Sequence, residues 1–236
     1  MNHNSSRLKI SVVMPTFNEA GALPVVVEDI KKNTAQFDTE ILIVDSSTDD
    51  TPQIAKALGV KVIIMPPAGH GLALREAITA ACGDYIITAD CDDTYPMSKI
   101  PELIELITAT GYDIVSCNRL ATPAVKESMP LSNLLANRFF AFVVRTLYRI
   151  QTHDVTTGMF AMSRRTAHYL KWETNYSFPA ELIIRTSLAG CRYTEIPIDY
   201  KIRVGEVTLN KYQSGKAYLR CFLKYRFNLN INSKKL

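Results

Sequence analysis

The sequence predicts an α/β fold, a mainly parallel central sheet flanked by helices on both faces. Three observations predict it. Short apolar, β-branched runs recur along the chain, segments with helical spacing of apolar residues stand between them, and the connections are short. Leu8 to Met14 (LKISVVM) ends at Pro15, and Glu40 to Val44 (EILIV) repeats the pattern, so both are predicted buried strands. Between them Ala22 to Asn33 sets Leu23, Val26, Val27 and Ile30 on one helical face, and Thr51 to Leu58 begins a helix with Pro52 in its first turn. Strands over Val60 to Met65, Asp84 to Ala89 and Asp113 to Cys117 follow, separated by helices over Leu72 to Ala81 and Lys99 to Thr108. Leu131 to Ile150 and Phe178 to Ala189 are predicted helices, with a strand over Arg192 to Ile198. The first of these helices is apolar on more than one face and carries Arg138 and Arg145. Core packing is expected for it, with an interfacial position, cations toward headgroups, as the alternative.

With 236 residues, 47% hydrophobic and 21% charged, the chain is large enough for a substantial core, which excludes disorder as its main character. Five cysteines without a C-x-x-C pair exclude a disulfide framework and a structural zinc site, and point to a reducing compartment. The sequence MNHNSSRLK offers no apolar signal region, and no stretch has the roughly 20 uninterrupted apolar residues of a spanning helix, so a cytoplasmic protein is expected. Net charge is +4, but residues 201–236 carry +8 and the first 200 carry −4. Residues 1–200 are therefore expected to form the main domain, and 201–236 a basic amphipathic extension packed on it or facing a membrane. No base-reading motif accompanies the charge, so nucleic acid is not an expected partner.

The most informative segment is a hydrophobic strand running into Asp90-Cys91-Asp92-Asp93. Carboxylates this close repel unless a cation neutralises them, so the D-x-D suits Mn2+ or Mg2+ with phosphate completing the coordination. An Asp-rich turn capping the following helix remains the alternative. Asp45 follows the EILIV strand and Glu19 the first strand. With the hydroxyls of Ser46, Ser47 and Thr48 they make a crevice for a base and ribose at the C-terminal sheet edge. Neither G-x-x-x-x-G-K-[ST] nor G-x-G-x-x-G occurs, so phosphate must be held in another way.

PTFNE (15–19), DSSTDDT (45–51), AGHGLALREA (68–77), ADCDD (89–93), SCNR (116–119), DVTTG (154–158), FPAE (178–181) and RVGEVTLN (203–210) stand in an informative order. In order and approximate spacing they resemble family 2 glycosyltransferases, most of all the dolichyl- or polyprenyl-phosphate mannosyl and glucosyl transferase branch. The resemblance implies a GT-A fold, a UDP- or GDP-sugar donor, Mn2+ or Mg2+, and hexose transfer with inversion to a polyprenyl phosphate or other lipid or sugar acceptor at a membrane surface. It places Pro15, Thr16, Glu19, Asp45, Ser47 and His70 with the nucleotide and donor, and Asp90, Asp92 and Thr94 with the metal. Arg119 and Arg203 fall to the phosphates, with Lys211 as a substitute cation where Val207 and Thr208 replace a common Ser-Lys pair. Asp154 and Glu181 fall near sugar and acceptor and are the candidate general bases, needed if the acceptor is a hydroxyl but not if it is an ionised phosphate. Thr94 stands where mannosyltransferases have Gln, and Met159 and Phe160 where an arginine is common. His153 is expected to be structural or solvated. A non-catalytic nucleotide-sugar-binding scaffold subunit and a nucleotidyltransferase remain alternatives, and a homodimer is left open.

Overall fold

A computed structural model of the protein describes residues 7–169, 171–205 and 211–227. Seven strands form one sheet in the order β3-β2-β1-β4-β6-β5-β7. They are β1 (Lys9–Thr16), β2 (Asp38–Asp45), β3 (Lys61–Ile64), β4 (Tyr85–Thr88), β5 (Ile114–Asn118), β6 (Phe160–Ser163) and β7 (Tyr193–Pro197). The first four run parallel, with Thr16 opposite Asp45 and Val13 opposite Thr88. That register brings the ends of β1, β2 and β4 to one edge, where the predicted acidic turns begin.

The helices are α1 (Leu23–Asn33), α2 (Thr51–Ala57), α3 (His70–Ala80), α4 (Ile100–Thr110), α5 (Val125–Ser128), α6 (Leu131–Tyr148), α7 (Arg164–Tyr169), α8 (Phe178–Leu188) and α9 (Lys211–Phe227). Pro24, Pro52, Pro101 and Pro179 each sit in a first turn, where the missing N–H has no helical partner to lose. Successive strand residues point to opposite faces. Val13, Leu42, Ile86 and Phe160 join the core under α3, α6, α8 and α9, while Val12, Ile43, Ile87 and Ala161 join the core under α1, α2 and α4. Apolar contact on both faces is the reason the middles of these strands read as near-continuous apolar runs, such as VVM in β1 and ILIV in β2.

One departure from expectation matters. The sequence reading has no strand at Phe160–Ser163, yet β6 lies in mid-sheet, antiparallel to both β4 and β5. Four residues are too few to display alternation, and the strand exists because two neighbours supply its hydrogen bonds. Being antiparallel, its N-terminal end lies at the same edge as the C-terminal ends of β1 and β4, which delivers residues 154–158 to that edge. In the basic C-terminal segment, α9 turns Tyr218, Cys221, Phe222 and Tyr225 into the core beside Ala141 and Val144 of α6 and Leu182 of α8. Tyr212, Leu219, Leu223 and Phe227 stay exposed, as do Leu131, Leu135, Phe139 and Phe142 of α6.

Gly83, before β4, packs against β1 so closely that a Cβ would lie 2.4 Å from the Ser11 nitrogen. Gly83→Ala is expected to cost about 1–3 kcal/mol of stability, read as a lower denaturant midpoint with an unchanged slope.

Candidate donor-binding cleft

The edge where β1, β2 and β4 end opens into a cleft of about 280 Å3, lined in part by Pro15, Thr16, Glu19, His70, Asp90, Asp92 and Arg203. All seven are residues the sequence singled out. Asp45 lies just beneath, buried, its Oδ1 accepting from Thr16 Oγ1 at 2.7 Å and Ser47 Oγ at 2.6 Å. Ser46, not Ser47, lines the cleft. The Ser47 hydroxyl accepts from the Asn18 amide at 2.8 Å, pinning the turn after β1, where Asn18 takes a left-handed φ of 57°.

Arg203 closes the cleft by bridging two acids, with Nη2 2.6 Å from Glu19 Oε1 and Nη1 2.9 Å from Asp92 Oδ2. Its approach is fixed by backbone bonds of its own segment, Lys201 N to Thr94 O and Val204 N to Asp92 O, both 3.0 Å. Asp92 Oδ1 accepts from the Thr94 amide and hydroxyl, the latter at 2.5 Å. Thr94 therefore stands behind Asp92, fully buried, and not among the groups lining the cleft, its hydroxyl donating to the carboxylate. Asp90 Oδ1 lies 2.8 Å from His70 Nε2.

The charges are imperfectly balanced. Burial, reinforced by Asp92 and Asp90 against the pull of Arg203, raises Glu19 to about 7. Burial and then Asp90 likewise push Asp92 up. Burial would raise Asp90 as well, but the His70 hydrogen bond and charge reverse this and hold it low, while Asp90 lifts His70 against its own burial. Among the described residues no group of three or more His, Cys, Asp or Glu side chains forms a metal cage. A pair of carboxylates with surplus negative charge nevertheless fits a hard divalent cation whose remaining ligands are phosphate oxygens.

The structure puts three other expected residues outside the cleft lining. Asp154 is fully buried and held by Arg119, with Nε to Oδ2 at 2.7 Å and Nη2 to Oδ1 at 2.9 Å. Burial alone would raise Asp154, but the Arg119 charge and hydrogen bonds keep it below the usual carboxylate range. Arg119 also donates to Thr156 and stacks on Tyr200, so its fork is committed. Glu181 is fully buried under α9, accepting from Glu173 N, Thr174 N and Oγ1, Arg185 Nη1 and Tyr225 OH. Neither carboxylate lines the cleft, and each is already held by an arginine and further donors. Of Lys211, the side chain lies outside the described residues, as do residues 206–210 of the RVGEVTLN motif.

Two further residues support the cleft, Gly158 at the end of the DVTTG motif and Asn175, which no motif marks. A Cβ on Gly158 would come within 2.8 Å of Asp90 Oδ2, so glycine there makes room for the carboxylate. Asn175 clasps the turn that carries His70: its Nδ2 donates to Ala68 O, its Oδ1 accepts from Leu72 N, and a Cβ on Gly71 would lie 2.0 Å from its carbonyl oxygen. Gly69, at φ 101°, is open only to glycine. The glycines flanking His70 were visible in the sequence, but Asn175, a hundred residues away, gave no signal.

Because Glu19 binds its proton more tightly folded than unfolded, stability in metal-free buffer should fall as pH rises from 4.5 through about 7. Glu19→Gln should flatten that fall in a pH series of thermal unfolding midpoints. Glu181→Ala, which leaves buried Arg185 without its closest carboxylate, should cost about 3 kcal/mol while the pH–rate profile keeps its shape. A lost profile limb with unchanged stability would instead make Glu181 a base.

Similarities to known proteins agree with this geometry. Over 215 residues, 91% of this chain and 92% of the other, the sequence is 39% identical to a dolichyl-phosphate hexose transferase of Haloferax volcanii. The low-salt glycan biosynthesis hexosyltransferase Agl6 of the same organism is 31% identical over 91% of this chain but 53% of its own length. Among solved structures, glucosyl-3-phosphoglycerate synthase from Mycobacterium tuberculosis in complex with UDP superposes with a TM-score of 0.71 at 23% identity, over 93% of this chain and 80% of that one. The same enzyme with Mn2+, UDP and phosphoglyceric acid gives 0.69 at 24% identity, over 93% and 78%. The architecture is the GT-A fold of those enzymes. The profile of Glycosyl transferase family 2 matches residues 11–170, about two thirds of the sequence, and with the identity to the Haloferax enzyme it follows that the chain belongs to that family and is a glycosyltransferase.

Proposed function

We propose that the chain transfers a hexose, with inversion, from a nucleoside diphosphate sugar to a polyprenyl phosphate of the dolichyl type. The observation that carries the donor half is the acidic cleft, where Asp90 and Asp92 meet Glu19, His70 and Arg203 at the converging strand ends. Asp45, with Ser47 and Thr16, supports the base and ribose side of the cleft from below. Asp90 and Asp92 would hold Mn2+ or Mg2+, which supplies positive charge to the diphosphate as it leaves. Arg203, already at the mouth, is placed to exchange its carboxylate partners for phosphate oxygens.

The acceptor half rests on a second observation. Asp154 and Glu181, the two carboxylates that the resemblance put forward as bases, are both buried and saturated. A sugar hydroxyl would need a base, whereas a phosphate monoester presents an oxygen that is already anionic near pH 7. Its oxygen bonds to the anomeric carbon as the bond from that carbon to the donor diphosphate breaks, and no proton has to move. This reading agrees with the dolichyl-phosphate hexose transferase to which the chain is 39% identical. Among the described residues no helix is long and apolar enough to cross a membrane, so a lipid acceptor would be met at the surface. The exposed apolar residues of α6 and α9, interleaved with Arg138, Arg145, Lys216, Arg220 and Lys224, suit that contact.

Transfer from UDP- and GDP-hexoses to dolichyl phosphate with Mn2+ or Mg2+ should fall by about 10²–10³-fold or more in Asp92→Asn, with the fold retained by circular dichroism. Undiminished transfer would defeat the proposal, and release of pyrophosphate from a nucleoside triphosphate would assign a nucleotidyltransferase in its place.

A further inference from the structure

A second hollow, of about 470 Å3, lies between the end of β5 and α6 and shares no lining residue with the donor cleft. Asn118, Ala121, Arg138, Ala141, Arg145 and His153 line it. Arg138, Ala141 and Arg145 fall on one face of α6 at spacings of three and four. The small central alanine leaves the space, and the two guanidinium groups flank it. Among the described residues neither arginine has a carboxylate partner.

Glu195 of β7 holds two of the lining residues, Asn118 and His153, and it is already satisfied. Its carboxylate accepts from Asn118 Nδ2, Thr152 Oγ1, Tyr193 OH and the His153 amide, and from His153 Nδ1 at 2.6 Å. This last contact fixes the imidazole through Nδ1 and leaves Nε2 for a ligand. Two arginines without a carboxylate partner, beside an imidazole held in place, surround an open hollow and are donors in search of an anion.

We propose that this hollow is a phosphate-binding site separate from the donor cleft, where Arg138 and Arg145 grip a phosphomonoester beside the His153 ring. The paired guanidinium forks match tetrahedral phosphate oxygens. Outward of the arginines the same helix exposes Leu131, Leu135, Phe139 and Phe142, spaced by four, four and three residues. A phosphate carrying a hydrocarbon chain could thus place its head in the hollow and its chain along this stripe. Free phosphate offers the same head without the chain.

The test uses the full chain saturated with UDP, so that the donor cleft is occupied. Sedimentation is measured with phosphatidylcholine vesicles containing phosphatidic acid, and with vesicles in which phosphatidylserine gives equal surface charge. In a parallel arm, inorganic phosphate is titrated while the His153 imidazole is followed by NMR. Wild-type protein should prefer phosphatidic acid. Arg138→Gln/Arg145→Gln should weaken that binding roughly tenfold and erase the preference. Ala121→Trp, which fills the hollow and leaves every charge in place, should do the same, with UDP-induced thermal shifts of both variants unchanged. An imidazole response to inorganic phosphate without lipid preference, abolished in both variants, identifies the soluble source. Equal binding of both lipids with no phosphate response, or wild-type behaviour of Ala121→Trp, overturns the site, and either result leaves the hexosyl-transfer reading standing.

Discussion

Mutual repulsion of carboxylates at the end of a parallel sheet is the constraint around which this molecule is arranged. The register of β1, β2 and β4 forces Glu19, Asp45, Asp90 and Asp92 toward one edge, and each is answered differently. Hydroxyls absorb Asp45, His70 takes Asp90, and Thr94 with Arg203 takes Asp92. Glu19 shares Arg203 and is left with the least compensation, which is why burial can lift it so far. Surplus negative charge held in fixed positions is costly to an empty fold and valuable to one that binds a cation and a diphosphate.

The contrast with Asp154 and Glu181 shows how identical chemistry becomes structural. Each is sealed in the interior with an arginine at 2.7 Å and further donors around it. A buried pair with every lone pair satisfied fixes geometry but has nothing to offer a substrate. The Arg119–Asp154 pair ties the end of β5 to the loop before β6, and Glu181 with Arg185 ties α8 to α9 through Tyr225.

The second tie reaches the cleft. Glu181 accepts from the amides of Glu173 and Thr174, Lys224 of α9 pairs with Glu173, and Asn175, directly after Thr174, clasps the turn that presents His70 to Asp90. The C-terminal helix is thus connected by consecutive polar contacts to the D-x-D carboxylates. A segment that composition marked as a basic extension is in this way part of what holds the donor cleft.

Much of this was legible in the sequence, because alternation of apolar runs and the acids that end them are local signals. Four parallel strands, the helices that begin with proline, and the cleft residues Glu19, His70, Asp90, Asp92 and Arg203 could be named from spacing and resemblance. What lay beyond reach depended on partners distant along the chain. Strand β6 exists only between β4 and β5. The same residue type, an acid following an apolar segment, is exposed to the cleft at Asp92's carboxylate edge and locked away at Asp154. Sequence by itself determined which charges the chain carries and the order in which its strands present them. Tertiary structure alone decided which of those charges would be neutralised from within, since an arginine's reach to a carboxylate is settled by packing and not by position in the chain.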